Sequence, residues 1–217
     1  MMKKPILFNT EMVRAILNGR KTQTRRLIRP QPEGQLSYIM GGSNPGKWDY
    51  MSASAAKAWD VEESRICKQD DGRLWTPPCH ADDILYVRET WNGLRTGPKG
   101  EEKNTYWYRA DEDDDKLNPD DIWRPSIYMP KEAARIWLKV KRVRVERLQD
   151  MTAQDSLDEG VKLSLRGITN GEPTLAPFAK LWDSTLKKGE VSRYGWSANP
   201  WVWVIEFERL EGKHDEH

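Results

Sequence analysis

The sequence is short of several things at once. Cys67 and Cys79 are the only two cysteines in 217 residues. Two thiols do not make a disulfide framework and fit a reducing compartment. With His80 they do not make a zinc site either: the Cys67–Cys79 gap is too long for a C-x2-C pair, and a fourth ligand is missing. No apolar run approaches the roughly 20 residues of a membrane span. The opening MMKKPILFNTEMV offers a four-residue apolar patch, too short for a secretory signal. We therefore expect a cytoplasmic protein with no membrane partner. Charge of one sign is also lacking, with 35 Lys+Arg against 34 Asp+Glu and a net of +1. That excludes a polycation coating nucleic acid, but not a local basic cleft. There is no repeat of fixed period, no P-loop, no G-x-S-x-G and no dinucleotide-cofactor fingerprint. Asp113-Asp114-Asp115 lacks the alternate ligands and central Gly of a calcium loop. Neither a metal nor a cofactor is expected.

Phenylalanine is scarce as well, at 3 against 11 Trp. Indole brings a large apolar body and one N–H donor, so it serves cores, stacking platforms and interfaces alike. Trp91, Trp107, Trp137, Trp182, Trp201 and Trp203 fall on expected strands or a helix, where packing accounts for them. Trp48, Trp59, Trp75, Trp123 and Trp196 fall in expected loops. If any Trp touches a ligand, Trp123 and Trp196 are the candidates.

Residues 5–8 read as a short strand. Asn9 or Thr10 can cap a helix that buries Met12, Val13, Ile16 and Leu17, and Gly19 is its stop. A strongly basic run follows at 20–29. Residues 30–80, rich in Pro, Gly, Ser and Asp, read as a long insertion, mostly loop, with one short helix over 53–59. Strands are expected over 83–89 and 105–110. Residues 111–121, with seven acidic residues in eleven, read as a solvated stretch or a lid over the basic run. The alternation over 136–141 changes phase at Val143 and Val145, which predicts a bulge or a bend between two strand halves. Thr152 opens a helix with a capping-box-like T-A-Q-D that stops at Gly160. A second helix is expected over 176–186, then a strand over 201–210 and a frayed tail from 211. With no βαβ rhythm, the count favours one α+β domain over 1–210, built on a small curved or barrel-like mixed sheet.

The stretch G-R-K-T-Q-T-R-R at 19–26 places Gly19, Lys21 and Arg26 in the pattern G-x-K-x-x-x-x-R directly after a helix. This resembles the signature of the ASCH domain family, within the PUA-like superfamily of small β-barrels. Asp83 to Trp91 resembles the family's GD-x-L-x-V-R-E strand, with Asp82 in place of the usual Gly. Val145 to Thr152 with Glu159-Gly160 resembles its V-x-x-L-x-x-(I/L)-T…E-G segment, and Asn199 to Phe207 its closing strand. With Trp123 to Pro130, the chain looks like the longer ASCH proteins of phages and prophages. The resemblance implies a PUA-like mixed β-barrel with flanking helices and a role near RNA or nucleosides. One bacterial member removes the acyl group from N4-acetylcytidine with a Lys, a Thr and a Glu that match Lys21, Thr24 and Glu159; another is described as a ribonuclease.

Amide hydrolysis needs a nucleophile, a base and donors for the oxyanion. The expected roles are Thr24 as nucleophile, Lys21 as base, Glu159 as proton shuttle and Arg26 as substrate anchor. Burial and the like charges of Arg20, Arg25 and Arg26 lower the Lys21 pKa, while pairing with Glu159 raises it; the sequence leaves the sign open. In a regular strand Lys21 and Thr24 point to opposite faces, so they meet only if the chain turns between Gly19 and Thr24. The alternative is an RNA-binding module, with or without nuclease activity. There Arg20, Lys21, Arg25, Arg26 and Arg29 join Lys139, Lys141, Arg142 and Arg144 in one stripe, Trp123, Tyr128, Trp196 or Trp201 stacks bases, and Ser126 lines a pocket. A non-catalytic phage interaction protein is the third reading.

Overall fold

A computed structural model describes residues 2–32, 35–38, 48–51, 74–96, 103–116, 122–161, 168–169, 172–173 and 175–211. β1 (Lys3–Leu7) leads into α1 (Thr10–Leu17). The Asn9 side chain caps α1 by accepting from the Met12 N–H at 2.9 Å. Gly19, at φ +69°, ends it in the left-handed region that glycine enters without strain. β2 (Gln23–Leu27) follows. The insertion is not all loop: β3 (Gln35–Tyr38), β4 (Trp48–Met51) and β5 (Leu74–Trp75) form an antiparallel sheet of their own. Trp75 is buried with Ile28 and Trp203, so this tryptophan is core rather than loop. The helix expected over 53–59 lies outside the described residues, as does the tail beyond 211.

β6 (Ile84–Arg88) is the strand expected over 83–89, and β7 (Trp91–Thr96) with β8 (Lys103–Tyr108) makes a hairpin. The long β9 (Trp137–Arg147) precedes α2 (Ala153–Asp158). The T-A-Q-D box forms as read: Thr152 Oγ1 accepts from the Asp155 N–H at 3.1 Å, and Asp155 Oδ2 accepts from the Thr152 N–H at 2.7 Å. After β10 (Ile168–Thr169) and β11 (Glu172–Pro173) come α3 (Ala176–Ser184), the single turn α4 (Val191–Tyr194) and β12 (Trp201–Leu210).

The main sheet runs β1-β6-β9-β12-β2, with β1 parallel to β6 and the other pairs antiparallel. The molecule is mixed α+β. Its two edge strands face each other across a cleft, where Arg26 Nη2 donates to the Leu7 carbonyl at 2.7 Å. No β1–β2 ladder closes the ring among the described residues, so the sheet is curled but open. On the concave face Val13 and Ile16 of α1 pack on Ile6, Leu85, Val87, Leu138, Val140, Ile205 and Phe207. On the other face the hairpin covers Ile84 and Trp137, and α3 lays Phe178 and Trp182 on Val202 and Val204.

The expected bulge is there. Glu206 pairs with Arg142 but Phe207 with Val140, so β9 carries Lys141 as an extra residue. Side chains alternate along a strand, and one extra residue resets the parity. Leu138 and Val140 before the bulge therefore share the concave face with Val143 and Val145 after it. Arg144 and Glu146 are sent to the opposite face.

Gly160 ties these layers together at φ +86°, where an added Cβ would sit 2.7 Å from Ala15 Cβ and 3.1 Å from Lys21 Cβ. Gly160→Ala is expected to destabilise the fold by about 3 kcal/mol, adding left-handed strain to overpacking. Gly189→Ala, with nothing within 4 Å of the new methyl, should stay within about 0.5 kcal/mol of the parent. Urea midpoints measure both.

Candidate functional site

The chain turns just before Lys21, at the end of α1. The Ala15 carbonyl accepts from the N–H groups of both Arg20 (2.9 Å) and Lys21 (3.1 Å), so the chain doubles back on the end of α1. Lys21 then pairs as a single antiparallel bridge with Glu159, ahead of β2. Its side chain is 0% exposed. Nζ donates to Glu159 Oε2 at 2.7 Å and to the Glu159 carbonyl at 2.9 Å, and lies 5.5 Å from the centre of the Phe8 ring. Burial pushes the Lys21 pKa down; Glu159 opposes this, and the charges of Arg26 and Arg25 reinforce it, with a net lowering. The sign that the sequence left open is thus set by desolvation. The arrangement also finishes α2: Lys21 takes the Glu159 carbonyl, and Arg20 Nη1 takes that of Gly160 at 2.8 Å.

Thr24 is 3% exposed and sits opposite Ile205. Its hydroxyl makes no hydrogen bond to Lys21 or Glu159 among the described residues. By strand parity it shares the concave face with Arg26, which sits opposite Trp203. Arg26 lies half-buried over the Phe8 ring, its guanidinium carbon 5.2 Å from the ring centre, and has no carboxylate within salt-bridge reach among the described residues. It lines the cleft between the edge strands, about 440 Å³, with Lys4, Leu7, Leu27, Trp203 and Ile205. Cys79 is in the same wall, its thiol pushed up to about 11 by burial, which makes it a poor nucleophile. Glu159 reaches a separate, smaller pocket of about 250 Å³ with Asn9, Glu11, Met12 and Arg20. Lys21 and Thr24 line neither. The structure joins Lys21 to Glu159 and sets Arg26 beside them, but it does not gather all four around one cavity.

Other expected contacts move. Arg25, read as a nucleic-acid contact, is enclosed, with a side-chain exposure of 0%. Its Nη1 donates to Glu159 Oε1 at 3.3 Å and its Nη2 to Glu146, with Asp155 Oδ1 3.6 Å away. β2 alternates, so Arg25 faces away from the cleft that Arg26 lines. Much of the basic stripe is likewise neutralised, although Arg142 is exposed and has no ion pair among the described residues. Lys139 pairs with Asp82 at 3.0 Å and Lys141 with Glu208 at 2.9 Å, while Arg144 is shared by Glu146, Asp155 and Glu206. Arg29 pairs with Glu190. The acidic run does not cover residues 20–29 in its described part: Asp114 is held by Arg14 of α1 and by Arg109. Trp196 is half-buried and edge-on to Phe178, its backbone N–H donating to Asp183 Oδ1 at 2.7 Å, and so serves as a packing anchor. Trp123 and Ser126 are half-buried around the Trp91–Arg124 bridge, away from the signature. Trp107, expected in the core, is 42% exposed on the outer face of the hairpin.

Sequence reasoning missed Glu146 and Asp155 as members of the site. The only signal for them was the positions themselves: Glu146 two residues beyond Arg144 on the face opposite the concave core, and Asp155 at the third residue of a capped helix. Burial raises the Asp155 pKa, but hydrogen bonds from the Thr152 N–H, the Gln23 amide and the Thr152 hydroxyl, together with the Arg25 charge, hold it at about 2. No protein-family model, curated protein or solved structure matches the chain.

Two outcomes follow from these charges. Lys21→Met leaves Glu159 buried with only Arg25 to face it, and should cost about 3 kcal/mol in equilibrium unfolding. The Asp155 carboxyl is depressed when folded, so its stabilisation is complete above its ordinary value of 3.8 and is lost as pH falls toward about 2. An acid titration of unfolding free energy should therefore fall less steeply across that window in Asp155→Asn than in the parent.

Proposed function

We propose that the chain is a PUA-like protein of the ASCH type that hydrolyses the acyl amide of an N-acylated cytidine or related nucleoside. One observation carries the reading: a lysine with no solvent exposure, its pKa lowered by burial, held 2.7 Å from a buried glutamate at the signature position. A general base must be partly unprotonated near neutral pH, and desolvation moves a lysine toward that state. The base and sugar occupy the cleft between β1 and β2, whose apolar wall and Trp203 suit a planar ring. Arg26, which has no carboxylate within salt-bridge reach among the described residues, takes the base carbonyl and moves off Phe8 to admit the acyl group toward Thr24. Neutral Lys21 accepts the Thr24 proton as Oγ1 attacks the acyl carbon. The C–N bond breaks, the amine leaves with a proton passed through Glu159, and water releases the acid from the Thr24 ester.

An RNA-binding module is the second reading. Tyr128 favours it: the residue is 72% exposed, as a base-stacking residue would be.

Purified protein is expected to release acetate from N4-acetylcytidine in the presence of a chelator, with at least a hundredfold loss in Lys21→Ala, Thr24→Ala and Glu159→Ala, in the range of lost acid–base catalysis. A panel of N-acylated cytosines and cytidines left untouched would remove the hydrolase reading. Salt-dependent RNA affinity that weakens in Tyr128→Ala would then support the second.

A further inference from the structure

Arg25 is held between the Glu159 carboxylate on one side and Glu146 and Asp155 on the other. The Glu159 carboxylate is forked, with Oε2 accepting from Lys21 Nζ at 2.7 Å and Oε1 from Arg25 Nη1 at 3.3 Å. Arg25 is in turn fastened from outside. Glu146 of β9 takes its Nη2, Asp155 of α2 stands 3.6 Å away, and the Phe178 ring of α3 lies 6.0 Å from its guanidinium carbon. Glu146 offers its second oxygen to Arg144 Nε at 3.1 Å, and Arg144 also holds Glu206 of β12. The residues Glu206, Arg144, Glu146, Arg25, Glu159 and Lys21 thus alternate in sign from a half-exposed end to a buried one. The rest of the surroundings of Lys21 are Arg26 on β2, the Phe8 ring after β1, and Arg20 on the neighbouring Gly160 carbonyl. Glu11 of α1 lines the pocket that Glu159 and Arg20 share.

We propose that Arg25 is a positioning residue that sets how tightly Glu159 holds the Lys21 proton: it occupies one carboxylate oxygen and offsets part of the charge, leaving Lys21 a weaker partner. The groups beyond it tune the same quantity. Neutralising Arg25 returns the whole Glu159 charge to Lys21 and tightens the proton. Neutralising Glu146 frees the Arg25 charge to act inward and loosens it. The two changes act in opposite directions on one lysine, which a general loss of packing does not do.

The consequence for turnover rests on the hydrolase reading, but the proton can be followed without substrate. Titration of the Lys21 ¹³Cε resonance in the full chain, assigned with Lys21→Met, should move up by about one pH unit in Arg25→Gln, a shift typical of a changed neighbouring charge. It should return toward the parent in Arg25→Lys and move down in Glu146→Gln. On substrate, Arg25→Gln should lose about tenfold in rate at neutral pH, the fraction of neutral lysine lost per unit, and recover as pH rises. A Lys21 titration unmoved in folded Arg25→Gln, or moved the same way in Arg25→Gln and Glu146→Gln, overturns the inference. Opposite shifts in a protein with no deacylase activity would sustain the positioning role while ending the hydrolase reading. Turnover with unmoved titrations would do the reverse.

Discussion

Burying the Lys21 ammonium is the constraint around which the rest is arranged. A cation removed from water loses several kcal/mol of hydration unless its donors are met. Here two of the three are met by one residue, Glu159, and the Phe8 ring faces the ammonium as well. Glu159 can do this only because α2 ends there, leaving its carbonyl unclaimed within the helix, and because Gly160 turns with a positive φ that lets α1 and the Lys21 stem close in. Gly19, Lys21, Glu159 and Gly160 are therefore one device. Two glycines supply the turns, and the ion pair fastens the end of α1 to the end of α2.

The sheet extends that device across the molecule. The extra residue in β9 keeps Leu138, Val140, Val143 and Val145 on the concave face, which leaves the other face of the second half of β9 to Arg144 and Glu146. Across β12, Arg144 and Arg25 both sit opposite Val204. Their guanidinium groups reach the same carboxylates from either side of it. Without the bulge, Glu146 would point into the apolar core and Arg25 would lose its anchor. A one-residue irregularity thus decides whether a charged network can exist beneath α2.

Local features were legible in the sequence for local reasons. The helix over 10–17, its Asn9 cap and Gly19 stop, the T-A-Q-D box, the β9 bulge and the strand over 201–210 all depend on residues within a few positions of each other. The Lys21–Glu159 pair, 138 positions apart, came only from a resemblance to other sequences. What stayed illegible depends on pairing. The described strands within residues 30–80 are two to four residues long, too short to show a period. Trp107 alternates like a core residue, but β7 and β8 form a hairpin with one face open to water. Whether the curled sheet closes is a matter of how β1 and β2 approach, which no run of residues encodes.

The net charge of +1 had hidden a basic segment and an acidic run, and the described part of that run, residues 111–116, does not lie over residues 20–29. Cancellation is local. Asp114 answers Arg14 and Arg109, Glu208 answers Lys141, and Glu146 and Glu159 answer Arg25. Adjacent arginines in the signature consequently meet different fates by parity alone. Arg25 turns to the face where β9 supplies Glu146 and α2 with its C-terminal end supplies Asp155 and Glu159, and is consumed by the fold. Arg26 turns to the concave face, where Phe8, Trp203 and the Leu7 carbonyl are its neighbours and no acid stands within reach among the described residues. A ligand carrying a carbonyl or an anion can compete for Arg26 at the cost of one hydrogen bond to Leu7, but for Arg25 only by dismantling three ion pairs. Of the two neighbours, Arg26 is the one whose guanidinium is not spent on carboxylates among the described residues.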